Sequence, residues 1–281
     1  MKKLIIVCLC AYVVVSLSCK VVYADASSAS LPEARVEGYI SKLYQAIDFG
    51  MGEKLAYEVF DKACRGYLNL KSAGKLSNDK DIITVCDFNL PSTANRMWII
   101  DLSLKKVLYN TYVAHGQGSG EDYAMSFSNK ENSHQSSLGF FVTGDTYEGE
   151  HGTSLHLLGM DKGYNDAAFD RGIVVHGADY VSDDFIRGNE RLGRSWGCPA
   201  VSPQLSLPII NTIKDGTCLF IYYPERRYMA SSLWLNKPVA TVPELAYSDL
   251  LLPAAPKPKV RVIQYIHNGK VDSVKTIPLG Q

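Results

Sequence analysis

The sequence carries no net charge: 29 Lys and Arg offset 29 Asp and Glu over 281 residues. That balance removes any general electrostatic pull toward nucleic acid or an anionic lipid surface, so no nucleic-acid partner is expected. Missing too are a Cys-x-x-Cys pair and a His-Glu-x-x-His helix, the spacings that build zinc sites; His151 and His156 stand in neither pattern. No metal and no cofactor are expected. The stretch His115-Gly116-Gln117-Gly118-Ser119-Gly120 suggests a phosphate cradle, yet neither a P-loop Lys-Ser/Thr nor a dinucleotide-binding spacing follows it. There is no internal repeat. The apolar run from Leu4 to Leu17 is too short, and too soon followed by polar residues, for a membrane span.

That run fits an export signal instead. Lys2 and Lys3 supply the positive start, and Val22-Tyr23-Ala24 supplies a small-residue cleavage site before Asp25. Leu17 does not stand where a lipoprotein signal needs it, so lipid anchoring at Cys19 is not expected. The cleaved chain is expected in the periplasm or an equivalent extracytoplasmic space. It keeps Cys64, Cys86, Cys198 and Cys218, and an oxidising compartment permits a disulfide, with Cys64–Cys86 the candidate pair. Cys218, inside the apolar Thr217–Ile221 run, reads as a buried structural thiol.

The organisation follows from periodicity. Val36, Tyr39, Ile40, Leu43, Tyr44 and Ile47 recur at three- and four-residue steps, as do Leu55, Val59, Phe60, Ala63 and Tyr67, with Gly74 as a stop. Two helices are therefore expected within a segment 25–78. Short β-branched and aromatic runs at 82–87, 96–101, 105–113, 138–144 and 217–223 read as strands of a domain over 79–224, with a short helix at 205–213. Residues 224–258 carry six Pro and read as an arm over the surface. Alternation about Asn268-Gly269 predicts a C-terminal hairpin within 225–281.

The chemistry concentrates in Arg171 to Ser202. Ile173, Val174 and Val175 place His176 at a strand end, a charged loop follows, and the chain returns as Ser195-Trp196-Gly197-Cys198-Pro199. A Cys between Gly and Pro sits in a restricted turn that can present a thiol. A His that meets it in space would take its proton and leave a thiolate–imidazolium pair. Asp179 is near enough in sequence to be a third member. Arg171, Arg191 and Arg194 flank the motif and could clamp a substrate carboxylate.

His176-Gly177, the loop, and Ser195-x-Gly197-Cys198 resemble the catalytic motif of the L,D-transpeptidase (YkuD-type) family, in its divergent murein L,D-transpeptidase catalytic domain branch. His115–Gly120 and Ser136-Ser137-Leu138-Gly139-Phe140 resemble the same branch. Trp196 departs from the commonest motif, which has His there; indole donates a hydrogen bond but exchanges no proton. The resemblance implies an α+β fold: a mostly β closed sandwich or barrel, here with an N-terminal helical segment and a C-terminal hairpin. It implies Cys198 as nucleophile, His176 as base, and the carbonyl of Gly177 orienting the imidazole. Gly197 and Cys198 N–H groups are candidate oxyanion donors. Ser195, Trp196, Arg194, His151 and His115 are candidate substrate contacts, and His115, His151 and His156 could supply the imidazole missing at 196. The implied reaction is acyl transfer on peptidoglycan stem peptides through a Cys thioester, with carbapenem sensitivity. The acceptor is an amine, on a second stem peptide or a wall-attached protein; with water the enzyme is an L,D-carboxypeptidase or another peptidoglycan peptidase. A non-catalytic wall-binding protein is the reading from a different class.

Overall fold

The computed structural model describes residues 31–243, together with the backbone of two strands at 260–267 and 270–278. The expected export signal, residues 244–258 of the Pro-rich arm and the Asn268-Gly269 turn lie outside the described residues.

Two amphipathic helices come first, α1 (Glu33–Ala46) and α2 (Tyr57–Ser72). The three- and four-residue stripe of α1 buries Val36, Tyr39, Ile40 and Leu43. After α2 the chain turns at Gly74, which takes the left-handed conformation (φ +64°) while Lys75 N–H closes back onto Leu70 O at 3.0 Å. That is the glycine-terminated stop expected of a helix end.

Eight strands follow: β1 (Ile82–Asp87), β2 (Met97–Asp101), β3 (Lys106–Thr111), β4 (Gly139–Gly149), β5 (Gly152–Gly159), β6 (Val174–Gly177), β7 (Ala200–Val201) and β8 (Cys218–Tyr222). They form one mixed sheet in the order β3-β2-β1-β8-β4-β5-β6-β7. Beyond β3 the chain bends back onto the far edge, where Ala114 N–H donates to Ala200 O at 2.8 Å, so the sheet nearly closes into a barrel. Every residue of β1 and β8 is buried, because α2 covers these central strands on one side and the barrel interior fills the other. Close approach of α2 depends on Gly66: a Cβ there would lie 1.9 Å from Phe140 Cζ, and Phe140 itself stacks on Phe220 at 4.2 Å.

α4 (Pro203–Ile213) begins with Pro at its first position and lays Ile209, Ile210 and Ile213 against the sheet beside β6. The segment after β8 is more ordered than a surface arm requires. It forms α5 (Arg226–Ser231) and α6 (Leu233–Asn236), tied down by Asp161, which accepts from Phe140 N–H (2.8 Å), Tyr228 OH (3.1 Å) and Ser232 Oγ (2.5 Å). Asn69 adds two bonds, to the carbonyls of Trp234 and Lys237. Near the C-terminus β9 (Val260–His267) and β10 (Lys270–Pro278) pair antiparallel.

One expectation is corrected here. Cys64 and Cys86 are both buried free thiols. Cys64 has Cys218 and Tyr39 as electrostatic neighbours, whereas Cys86 lies beside Arg96 and Asp87, so the two occupy different surroundings. Burial pushes the Cys86 thiol up to about 12, which suppresses the thiolate that disulfide formation requires.

Candidate active site

The site rests on the parallel pairing of β6 with the two-residue β7. His176 stands opposite Ala200 and Gly177 opposite Val201. Run back two positions, that register sets Cys198 opposite Val174, and Val174 N–H indeed donates to Cys198 Sγ at 3.4 Å. Cys198 itself lies in the turn before β7, and this contact brings its thiol to β6 two residues before His176. No hydrogen bond joins them among the described residues. The thiol is turned toward Gly172 O, 3.6 Å away.

His176 has its tautomer set. Nδ1 lies 3.0 Å from Gly177 O; a carbonyl can only accept, so Nδ1 carries the hydrogen and Nε2 keeps the lone pair. Asp179 is exposed and has no part in this bond. Burial, reinforced by the neighbouring His151, holds His176 below the ordinary histidine value, although the Gly177 carbonyl pulls the other way. Burial raises the Cys198 thiol, offset in part by Val174 N–H, Arg171 and its own backbone N–H. Cys198 retains partial solvent access, so a reagent can still reach it. Both shifts favour a neutral thiol beside a neutral imidazole at rest.

The turn carrying Cys198 is held from every side. Ser195 Oγ accepts from Gly197 N–H (3.0 Å) and donates to Cys198 O (2.6 Å). Ser136 Oγ donates to Gly197 O and accepts from Gly116 N–H, both at 3.0 Å. Gly197 has φ +127°, and a Cβ on it would fall 2.8 Å from Gln135 O, so only glycine fits. Arg171 fastens the adjoining loop through Ser128 O, Ser137 Oγ, Ser133 Oγ and Gln135 O. Gly197 N–H is thus already engaged, and of the two expected oxyanion donors Cys198 N–H is the one left for a substrate.

A family model described as L,D-transpeptidase catalytic domain matches residues 51–222, more than half of the chain. The chain belongs to that family. The matched span includes α2, so this catalytic domain begins earlier than residue 79. Among solved structures it is similar to an L,D-transpeptidase from Mycobacterium smegmatis: 12% identity, TM-score 0.32, covering 51% of this chain and 59% of that one. A second L,D-transpeptidase, from Stackebrandtia nassauensis, has 13% identity and a TM-score of 0.31 over 71% of this chain and 95% of the other. The chain spans only 59% of the mycobacterial protein's length, and likeness of this degree transfers no residue-by-residue role. No curated protein matches it.

Within this L,D-transpeptidase domain the remaining candidates separate. His151, in the turn between β4 and β5, stacks on His176 with ring centroids 4.5 Å apart, so it stands at the site. His156 is stacked on Tyr147 and bonded to Asp145 at 2.9 Å. His115 is wholly buried; Nδ1 accepts from Arg96 Nη2 (2.7 Å) and Nε2 faces Gly120 O (3.3 Å), which makes it a brace for the glycine-rich loop. Arg194 pairs with Glu121 at 2.7 Å and Arg191 with the same carboxylate at 3.1 Å, while Arg171 is occupied by its loop. Trp196 is 72% exposed and lies flat on His134, centroids 4.8 Å apart and planes 5° from parallel. His134 escaped the sequence reading. It stands two residues before the Ser136–Phe140 segment but belongs to no motif, and only the folded loop brings it beneath Trp196.

Proposed function

We propose that the chain is an exported, cysteine-dependent L,D-transpeptidase acting on peptidoglycan stem peptides. The observation that carries this reading is the Cys198 thiol held at β6 by Val174 N–H, two residues before His176, with His176 Nε2 left as the free base by the Nδ1–Gly177 bond. His176 Nε2 takes the thiol proton as Sγ attacks the amide carbonyl joining the L-centre of meso-diaminopimelate to the terminal D-residue. The tetrahedral oxyanion has Cys198 N–H as its nearest backbone donor. Collapse breaks the C–N bond, and the leaving amine takes the proton from His176. The thioester is then resolved by an acceptor amine, whose proton passes to Nε2. The export signal in the sequence supports a location where this substrate is met.

The test is mass spectrometry of muropeptides after incubating the protein, with Cys198→Ala beside it, on tetrapeptide-rich sacculi. New cross-linked dimers or D-amino-acid exchange products that require Cys198 support transpeptidation. Tripeptides alone place water at the acceptor position and make the protein an L,D-carboxypeptidase. No Cys198-dependent change, with the protein shown to be folded, refutes the reading.

A further inference from the structure

Of the three tryptophans, Trp98 and Trp234 are 1% and 8% exposed, whereas Trp196 is 72% exposed two residues from the nucleophile. Its plane is set by His134 beneath it. His134 is positioned in turn: Gln117 Nε2 donates to its Nδ1 at 2.9 Å, its carbonyl accepts from Gly118 N–H at 2.8 Å, and its backbone takes the left-handed region at φ +53°. That region is disfavoured for a residue with a Cβ. The loop is thus built to present a large apolar ring to solvent when burial would have been favourable. The rim of this ring is polar and open. Gln117 and Gly118 are exposed, the Gln117 amide oxygen has no role in orienting His134, and His134 Nε2 carries the hydrogen.

We propose that Trp196, held flat by His134, is a stacking platform for a saccharide ring: an N-acetylhexosamine of the glycan that carries the stem peptide. The proposal rests on the peptidoglycan reading above and adds a sugar subsite to it. A pyranose has a face of axial C–H groups that packs on an aromatic ring, and an edge of hydroxyl and acetamido groups that needs hydrogen-bond partners. The indole face and its amide–imidazole rim offer both. A protein partner would call for apolar neighbours around the indole to complete a dry patch; here the ring rests on His134, which Gln117 holds. Adjacency to Cys198 places the sugar on the polymer whose peptide is being attacked.

The test uses the intact chain carrying Cys198→Ala, so that no turnover intervenes, and chitotetraose (four β-1,4-linked N-acetylglucosamines) as the probe. Because the other two tryptophans are buried, iodide quenching reports Trp196. Sugar should protect this fluorescence in a saturable way. By calorimetry Trp196→Ala should weaken binding by about tenfold or more and Trp196→Phe by less, while His134→Ala weakens it by roughly threefold. In turnover assays of the otherwise wild-type chain, Trp196→Ala should raise KM for glycan-linked stems by a larger factor than KM for the free stem peptide. No protection by millimolar chitotetraose, or protection by the free stem peptide alone, overturns the platform. Equal KM changes for linked and free stems overturn it too. Sugar binding that persists where sacculi show no Cys198-dependent product leaves the platform standing and removes the catalytic reading.

Discussion

Replacing His115 by Gln and unfolding both proteins across the acid range isolates the cost of an imidazole set against a buried guanidinium. Arg96 is wholly buried and, among the described residues, has no carboxylate bonded to it; its donors go to Val113 O, Leu90 O and His115 Nδ1, and its Cζ lies 4.8 Å from the Phe88 ring centroid. Burial lowers Arg96 to about 10, so it remains charged at any pH of interest. Burial, then the Arg96 charge, pushes His115 down to about 3. The unfolded chain takes up this proton near the ordinary histidine value of about 6.5, the folded chain only far below it. A depressed histidine therefore contributes stability that is present above about pH 6.5 and lost as pH falls toward the folded value. Between pH 7 and pH 5 the loss is about 2 kcal/mol, and the figure barely moves if the folded value is a unit higher, because the unfolded chain does the titrating.

Gln preserves the local bonds, accepting from Arg96 through its amide oxygen and donating to Gly120 O, but does not titrate. The comparison matters because Asp87, raised by burial to about 6, gains stability over the same interval and partly masks the histidine in wild type. Urea unfolding at pH 7, 6 and 5 should show wild type losing about 2 kcal/mol relative to His115→Gln. A difference that stays constant across that range would refute the buried Arg96–His115 arrangement.

Gly197→Ala should leave the melting temperature within a few degrees of wild type yet cut Cys198-dependent activity by at least about tenfold, since relief of the clash with Gln135 O shifts the nucleophile's turn. With His176 held below the ordinary histidine value by burial and acting as a neutral base, kcat/KM should fall only below about pH 6.5. Iodoacetamide alkylation of Cys198, its thiol raised by burial, should still be climbing above about pH 8.5; a plateau from weakly acid pH upward would mean a resting ion pair instead. Gly66→Ala drives a methyl into Phe140 and should lower stability by about 1–3 kcal/mol in urea unfolding without altering the pH profile. Asp161→Ala leaves three donors without their acceptor and should cost on the order of 3 kcal/mol, with the 225–243 segment cut first in limited proteolysis.

Much of the scaffold was legible in the chain itself. The stripes of α1 and α2, the stop at Gly74, the runs that became β1, β2, β3, β4 and β8, and the Cys–His pair with its flanking glycines are statements about near neighbours. Helical and strand periodicities carry that kind of information directly. The conformational demands of Gly197 and Pro199 do so as well, because the backbone restriction belongs to the residue.

What the chain could not disclose was settled by pairings between distant segments. β7 has two residues, too few for any alternation, yet its parallel register with β6 brings the turn that carries Cys198 to the strand that carries His176. Cys64 and Cys86 looked like partners because both precede the motif, and the packing of α2 against β8 sends them to different surroundings. His134 and Trp196, like His151 and His176, meet only when loops fold over the sheet. The sequence by itself determined which residues can do the chemistry, since nucleophilicity, basicity and backbone freedom are properties of single residues. Tertiary structure alone decided which imidazole stacks on His176, which one braces a buried arginine and which one supports the exposed indole, because burial and contact are properties of the closed sheet.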